Sequence, residues 1–307
     1  MQNIAVLITS HNRKQKTLQC LHALFNQNGL GDSYSIEVFL VDDGCTDGTP
    51  EAIRLDFPQV SIIQGNGNLY WNRGMYLAWK TAAKAIDFDY YFLLNDDTFL
   101  FKNALLYSLE LEYSTSIIVG TTHSGINQIP TYGGTSAKTK SIIIPNGLFQ
   151  KCDLINGNFL LVPKLVYEKI GMLDPTFHHA LGDYDYYYRG KKMGFEFYVA
   201  PNYVGICEDH ISEFKGHVPK WRSSSIPLIT RLKLLYQPQS GCVPNQFFIY
   251  KQRHFGLLSG IYHYILLHIR CFFPGLWKVK SLSISKNINK TNCYHNKNHH
   301  QSFKGCI

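Results

Sequence analysis

"YYFLLNDDTFL", residues Tyr90 to Leu100, begins as an apolar run and ends in acid. Tyr90–Leu94 reads as a strand buried on both faces, and Asn95-Asp96-Asp97 follow it at once. Two adjacent carboxylates at the end of such a strand repel each other and lose hydration, so a positive group is expected to meet them. A strand without polar alternation belongs inside an α/β sheet, and the flanking segments agree. Ile4–Thr9 has the same apolar character. Lys14–Asn26 carries helical spacing with Leu18, Leu21, Ala23 and Leu24 on one side. Ile36–Val41 and Val60–Ile63 read as further strands, a helix starts near Asp47-Gly48-Thr49-Pro50, and Trp71–Ile86 reads as a helix. This order predicts an α/β fold, with a mostly parallel, doubly wound sheet flanked by helices. Ligands on such sheets sit beyond the carboxyl ends of the strands. Thr9-Ser10-His11, Asp42-Asp43 and Asn95-Asp96-Asp97 all lie at such ends and are expected to converge.

The pattern then changes. Gly120–Ile144 reads as a strand and hairpin, Leu154–Val162 as a strand and Lys164–Ile170 as a short helix. "GDYDYYYR", Gly182 to Arg189, is expected to open another helix, whose dipole favours aspartates in its first turn.

Composition bounds the answer. The 307 residues are 45% hydrophobic and 17% charged, which describes a globular protein and excludes a disordered one. The eight cysteines are scattered without a CxxC pair, so reduced thiols are expected and a structural zinc is not. Met1-Gln2-Asn3 leads directly into an apolar strand without a basic start or cleavage site, which predicts no signal peptide and a cytoplasmic protein. The net charge of +8 is unevenly placed: beyond Glu213 the chain has 14 Lys and Arg and no carboxylate, so an acidic body precedes a basic, aromatic-rich segment.

Each acidic cluster has a chemical and a plainer reading. Asp42 and Asp43, followed by Gly44 and Gly48, suit hydrogen bonds from a base N–H or ribose hydroxyls, or equally a turn and helix cap. Asp97, with Asp96, suits a hard divalent cation, Mg²⁺ or Mn²⁺, bridging to phosphate; a solvated turn is the alternative. "GNGNLYWNRGM", Gly65 to Met75, is a glycine- and asparagine-rich loop entering a helix with an early Arg73, able to bring backbone N–H groups and a cation near a phosphate. Tyr70 and Trp71 suit stacking on a base or sugar, or the core. Asp183 at a helix start suits removal of a proton from a hydroxyl, whereas Asp185 reads as an i,i+4 ion pair with Arg189. His210, in "CEDHISEFKGH", is a candidate metal ligand.

Together "VLITSHNR", "VDDGCTDGT", "GNGNLYWNRGM", "LLNDDTFL" and "GDYDYYYR" resemble, in order, the family-2 glycosyltransferases of bacteria, which have the GT-A fold. The likeness runs from Ile4 to about His210 and is nearest to rhamnosyltransferase-like members that build surface polysaccharide, including lipopolysaccharide and capsule. It implies a GT-A (Rossmann-like) domain over residues 1–215, with a nucleotide-sugar half over about 1–100 and an acceptor half over about 100–215. It implies a nucleoside-diphosphate sugar donor, a glycan or lipid-linked acceptor, and Mg²⁺ or Mn²⁺ as cofactor. Thr9, His11, Asp42, Asn68, Trp71, Arg73 and Asp96 would line the donor pocket. Asp97 would be the metal-contacting last carboxylate of the DxD-type motif, with His210 as a second ligand, and Asp183 the catalytic base of an inverting displacement. Two positions depart from the family pattern: Asn95 stands where the first acid of the motif falls, and Gly182 where a glutamate often precedes the base.

Residues 216–280 are expected to form a helical basic extension. Within Gln246–Trp277, His263, His268 and Arg270 interrupt the apolar run, so no span of about 20 residues is available to cross a bilayer. An amphipathic helix in the interface, flanked by Lys251, Arg253, Lys278 and Lys280, predicts peripheral contact with an anionic membrane at the inner face of the cell membrane; packing on the catalytic domain is the alternative. The interleaved aliphatic residues argue against nucleic acid, and residues 281–307 read as a disordered tail. A non-catalytic nucleotide- or glycan-binding protein on the same fold is the competing functional class.

Overall fold

A computed structural model describes residues 1–110, 115–125, 127–208 and 219–276. In chain order the first half comprises β1 (Gln2–Ser10), α1 (Lys14–Phe25), β2 (Tyr34–Asp42), α2 (Thr49–Asp56), β3 (Ser61–Gln64), α3 (Tyr70–Ala85) and β4 (Tyr90–Leu94). Then follow β5 (Phe99–Leu100), α4 (Ala104–Leu109), β6 (Ser116–His123), β7 (Gln150–Lys151), β8 (Phe159–Pro163), α5 (Lys164–Ile170), α6 (Gly182–Lys192) and β9 (Glu196–Ile206). The extension contributes α7 (Leu228–Leu235), α8 (Pro244–Phe255) and α9 (Leu257–Phe272).

The strands form one sheet in the order β3-β2-β1-β4-β8-β6-β9-β5, with β7 paired to β9. The half built from β3, β2, β1 and β4 is parallel, as the alternation of strands and helices predicts. β8 runs antiparallel to both β4 and β6, which makes the sheet mixed. β1 shows how two layers are secured by one strand. Ala5 and Leu7 face a core with Met75 and Trp79 of α3, while Ile4, Val6 and Ile8 face another with Cys20, Leu21 and Leu24 of α1. All are fully buried, which explains the absence of polar alternation. Trp79 anchors its side of the sheet, with its ring against Tyr91, Tyr167 and Tyr186.

Three expectations are corrected. The strand expected at Leu154–Val162 begins only at Phe159, because Gly157 and Asn158 form a turn there. The Gly120–Ile144 segment is a strand ending at His123 and then a loop with isolated bridges, not a regular hairpin. The apolar stretch from Gln246 is two helices, not one: Gly256, at φ 91°, separates α8 from α9 in a conformation that favours glycine.

The extension packs onto the sheet domain through α8. Asp185, on α6 and fully buried, accepts hydrogen bonds from Arg189 Nε (2.8 Å), Arg253 Nη1 (2.7 Å) and His254 Nε2 (2.8 Å). Arg253 also meets Asp174 at 2.7 Å. The expected Asp185–Arg189 pair is therefore present, within a wider network that fastens α8 to α6. Phe177, Leu181 and Tyr250 form a small apolar cluster at the same junction.

Candidate active site

β1, β2 and β4 end side by side, and their carboxyl-end loops open into one cavity of about 760 Å³. Thr9, His11, Trp71, Asp96, Asp97 and Asp183 all line it, so six of the expected site residues converge.

At the end of β4, Asp96 and Asp97 are about 5% and 4% exposed. Among the described residues a cation that meets them is Arg13, at the start of α1: its Nη1 lies 3.1 Å from Asp96 Oδ1 and 2.8 Å from Asp97 Oδ2. Burial pushes the Asp96 carboxyl up to about 6; Arg13 pulls it back down and Asp97 pushes it up. Asn95, in place of the expected acid, accepts a 2.7 Å hydrogen bond from Trp71 Nε1. An amide acceptor fixes the indole without adding a third negative charge to the pair.

Asp183 sits in the first turn of α6 and lines the same cavity. Its Oδ1 accepts from the Tyr184 N–H at 2.9 Å and its Oδ2 from the Gly157 N–H at 3.3 Å. Burial nonetheless pushes its carboxyl up to about 6, which suits a group that must both hold and release a proton near neutrality. Gly182 has a local explanation. A Cβ there would lie 1.7 Å from Asn72 Oδ1. Asn72 in turn donates to the carbonyls of Asp174 and Phe177, at 2.8 Å each, and thereby holds the loop that leads into α6. The asparagine occupies the space that a side chain at 182 would need.

Other expected residues lie off the cavity wall. Asp42 Oδ1 accepts from the Cys45 N–H at 2.7 Å and serves the turn after β2. Its neighbour Asp43 does line the cavity, but its carboxylate is held by the N–H groups of Gly67, Leu69 and Tyr70. Asp42 thus shapes the turn after β2, and Asp43 the loop entering α3. Arg73 donates through Nε to the Pro175 carbonyl, and Asn68 is exposed on that loop. His210 lies outside the described residues.

Arg13, His179, Tyr184 and Gln239 also line the cavity, and sequence reasoning gave them no role. Arg13 had a signal: a buried acidic pair requires a cation. Gln239 had none, because it comes from the extension and donates to Tyr70 Oη at 3.1 Å across 169 residues.

The donor set has the chemistry of a site for an oxygen-preferring divalent cation, with two adjacent carboxylates facing a cavity and space for phosphate oxygens. Among the described residues no group of three or more His, Cys, Asp or Glu converges.

The model of the family named "Glycosyl transferase family 2" matches residues 5–164. A poly(ribitol-phosphate) beta-glucosyltransferase of Bacillus spizizenii is 26% identical over 240 residues, covering 69% of this chain and 37% of its own length. The chain therefore matches little more than a third of that relative. Two solved structures share the fold. The mannosyltransferase PcManGT from Pyrobaculum calidifontis, in complex with GDP-Man and Mn²⁺, superposes with a TM-score of 0.51 at 16% identity, over 88% of this chain and 73% of that one. GalNAc-T7 with UDP, GalNAc and Mn²⁺ gives 0.53 at 13% identity, over 83% and 55%. The sheet and its helices are those of the GT-A glycosyltransferases.

Helix propensity alone would favour alanine over glycine at 182. The contact with Asn72 reverses the sign: Gly182→Ala is expected to cost about 1–3 kcal/mol in urea unfolding, the range for overpacking a closed site. An unchanged or improved midpoint would show that Asn72 does not hold this space.

Proposed function

The chain belongs to glycosyl transferase family 2 and is a glycosyltransferase; from that premise we propose that it moves a sugar from a nucleoside-diphosphate donor to a hydroxyl of a glycan or lipid-linked acceptor in surface-polysaccharide synthesis, with inversion at the anomeric carbon. The observation that carries this reading is that the Asp96–Asp97 pair, at the end of β4, and Asp183, on α6, line one cavity. Asp96 and Asp97 would hold Mg²⁺ or Mn²⁺. When bound, the ion supplies neutralising charge to the departing diphosphate.

The residues of the chain do the rest. Thr9, His11 and Trp71 line the donor side, and the indole is fixed by Asn95. Asp183 accepts the proton of the acceptor hydroxyl as its oxygen bonds to the anomeric carbon. The bond from that carbon to the diphosphate oxygen breaks in the same step, and its electron pair leaves with the nucleoside diphosphate. One base and one displacement give inversion. The two hydrogen bonds from Tyr184 and Gly157 aim the carboxylate, while burial keeps it basic enough to act.

The acceptor class is supported by the poly(ribitol-phosphate) in the name of the relative and by the charge of the extension. No helix among the described residues is long and apolar enough to cross a membrane. α9 instead presents Leu258, Ile261, Tyr262, Ile265, Ile269 and Phe272 to the outside, a helical stripe in a segment devoid of carboxylates. We assign this stripe to an anionic membrane surface, where a lipid-linked acceptor is found.

Two tests follow. In calorimetric titrations of UDP, GDP and dTDP with Mn²⁺, one nucleotide is expected to bind, and Asp183→Asn is expected to retain that binding. Turnover by Asp183→Asn should fall by about 10²–10⁴, the usual worth of a positioned base. Because the Asp183 carboxyl is pushed up to about 6, its carboxylate form dominates only above that pH, so wild-type kcat/KM should rise through about pH 6. Full turnover by Asp183→Asn would remove the aspartate from the reaction. In flotation assays the protein should bind vesicles containing phosphatidylglycerol and not pure phosphatidylcholine. Ile261→Glu with Ile265→Glu should abolish binding; retention would place the contact elsewhere.

A further inference from the structure

The chemistry of the donor site leaves one question. Two carboxylates suited to a divalent cation are already engaged by a guanidinium. Arg13 Nη1 bridges Asp96 Oδ1 and Asp97 Oδ2, at 3.1 Å and 2.8 Å. The other oxygens of the pair face protein: Asp96 Oδ2 lies 3.4 Å from Thr17 Oγ1, and Asp97 Oδ1 lies 3.7 Å from Cys207 Sγ. Arg13, Asp96 and Asp97 all line the cavity, so a cation that entered it would meet the oxygens that Arg13 holds. A guanidinium and a divalent ion compete for them, since like charges at such separations repel strongly in a partly dehydrated site.

The burial of the two partners differs. The carboxylates are almost wholly buried, whereas the Arg13 side chain is 42% exposed. Its backbone is fixed where α1 begins, by the 2.9 Å hydrogen bond from the Thr17 N–H to the Arg13 carbonyl. All its side-chain bonds to described residues run through Nη1. Nε and Nη2 remain for another acceptor, and the planar fork of a guanidinium suits a phosphate.

We propose that Arg13 is a built-in counter-cation of the donor site: it neutralises Asp96 and Asp97 in the empty enzyme and transfers its guanidinium to the donor diphosphate when that ligand arrives with a divalent ion. The inference rests on the donor-site reading above. It makes metal and diphosphate mutually dependent. A metal ion alone must displace Arg13 into a cavity that offers the guanidinium no anion, whereas a diphosphate supplies one. The coupling is reciprocal, so each ligand tightens the other. It also explains why a buried pair of like charges is tolerated before any ligand is present.

The test is Mn²⁺ binding measured from the electron paramagnetic resonance signal of free Mn²⁺. Wild type, Arg13→Gln and Arg13→Lys are compared, with Mn²⁺ alone and with inorganic pyrophosphate, UDP, GDP or dTDP, corrected for Mn²⁺ held by each anion in solution. Wild type is expected to bind Mn²⁺ alone weakly and to tighten when a diphosphate is added. Arg13→Gln should bind Mn²⁺ alone about tenfold or more tightly than wild type, once the competing charge is gone. The same variant should lose about tenfold in pyrophosphate affinity at saturating Mn²⁺. Damage to the fold would not raise metal affinity, so the opposite signs separate this role from a structural one. Arg13→Lys keeps the charge, and should leave Mn²⁺-alone binding weak while losing pyrophosphate affinity. Unchanged or weaker Mn²⁺ binding by folded Arg13→Gln would overturn the proposal, as would full pyrophosphate affinity in Arg13→Lys. Failure of the wild type to bind Mn²⁺ with any of these anions would instead bring down the donor-site reading on which it rests.

Discussion

Two carboxylates buried at the end of a central strand are the constraint around which this molecule is arranged. Asp96 and Asp97 have lost most of their water, and their mutual repulsion requires positive charge within a few ångströms. The sheet order supplies it. β1 lies beside β4, so the turn after β1 delivers Arg13 to the end of β4, and α1 starts there with the guanidinium already in place. β2 lies on the other side of β1 and contributes Asp43, which shapes the loop into α3 and so places Trp71. Charge balance, loop shape and the indole wall all follow from one arrangement of parallel strands.

The part of the wall around Asp183 is built by a different principle. α6 carries Asp183 into the cavity, and its position is set by packing on both flanks. On one side Asn72 of α3 binds the loop before α6 and takes up the space beside Gly182. On the other side α8 meets α6 through Arg253 and His254 on the buried Asp185. A buried carboxylate with three donors is costly to break from either partner. The basic extension is thereby tied to the helix that carries Asp183, and it also sends Gln239 to the cavity rim.

Much of the first half was legible in the sequence because its signals are local. β4 at Tyr90–Leu94, α5 at Lys164–Ile170 and the start of α6 at Gly182 fall where apolar runs and turn residues place them. The convergence of Thr9, His11, Asp96 and Asp97 followed from a rule about parallel strands. What was not legible depends on partners distant in the chain. The antiparallel direction of β8 is fixed by pairing with β4 and β6, and a strand buried on both faces reads the same in either direction. Which of Asp42 and Asp43 faces the cavity depends on backbone N–H groups more than 20 residues away. An arginine early in a helix suggests a cation near a phosphate or sugar, but Arg73 Nε donates to the Pro175 carbonyl, 102 residues on. The break at Gly256 was available in the sequence and was masked by the apolar residues on both sides of it.

The central claim is that Asp96 and Asp97 form the cation seat of a nucleoside-diphosphate site. Its most direct test is anomalous diffraction from crystals of the protein grown with Mn²⁺ and the nucleoside diphosphate it binds. The account predicts a single strong manganese peak within coordination distance of Asp96 or Asp97, bridged to the diphosphate, with Arg13 withdrawn from the pair. A diphosphate bound elsewhere, or bound without manganese while Arg13 still holds both carboxylates, would contradict it.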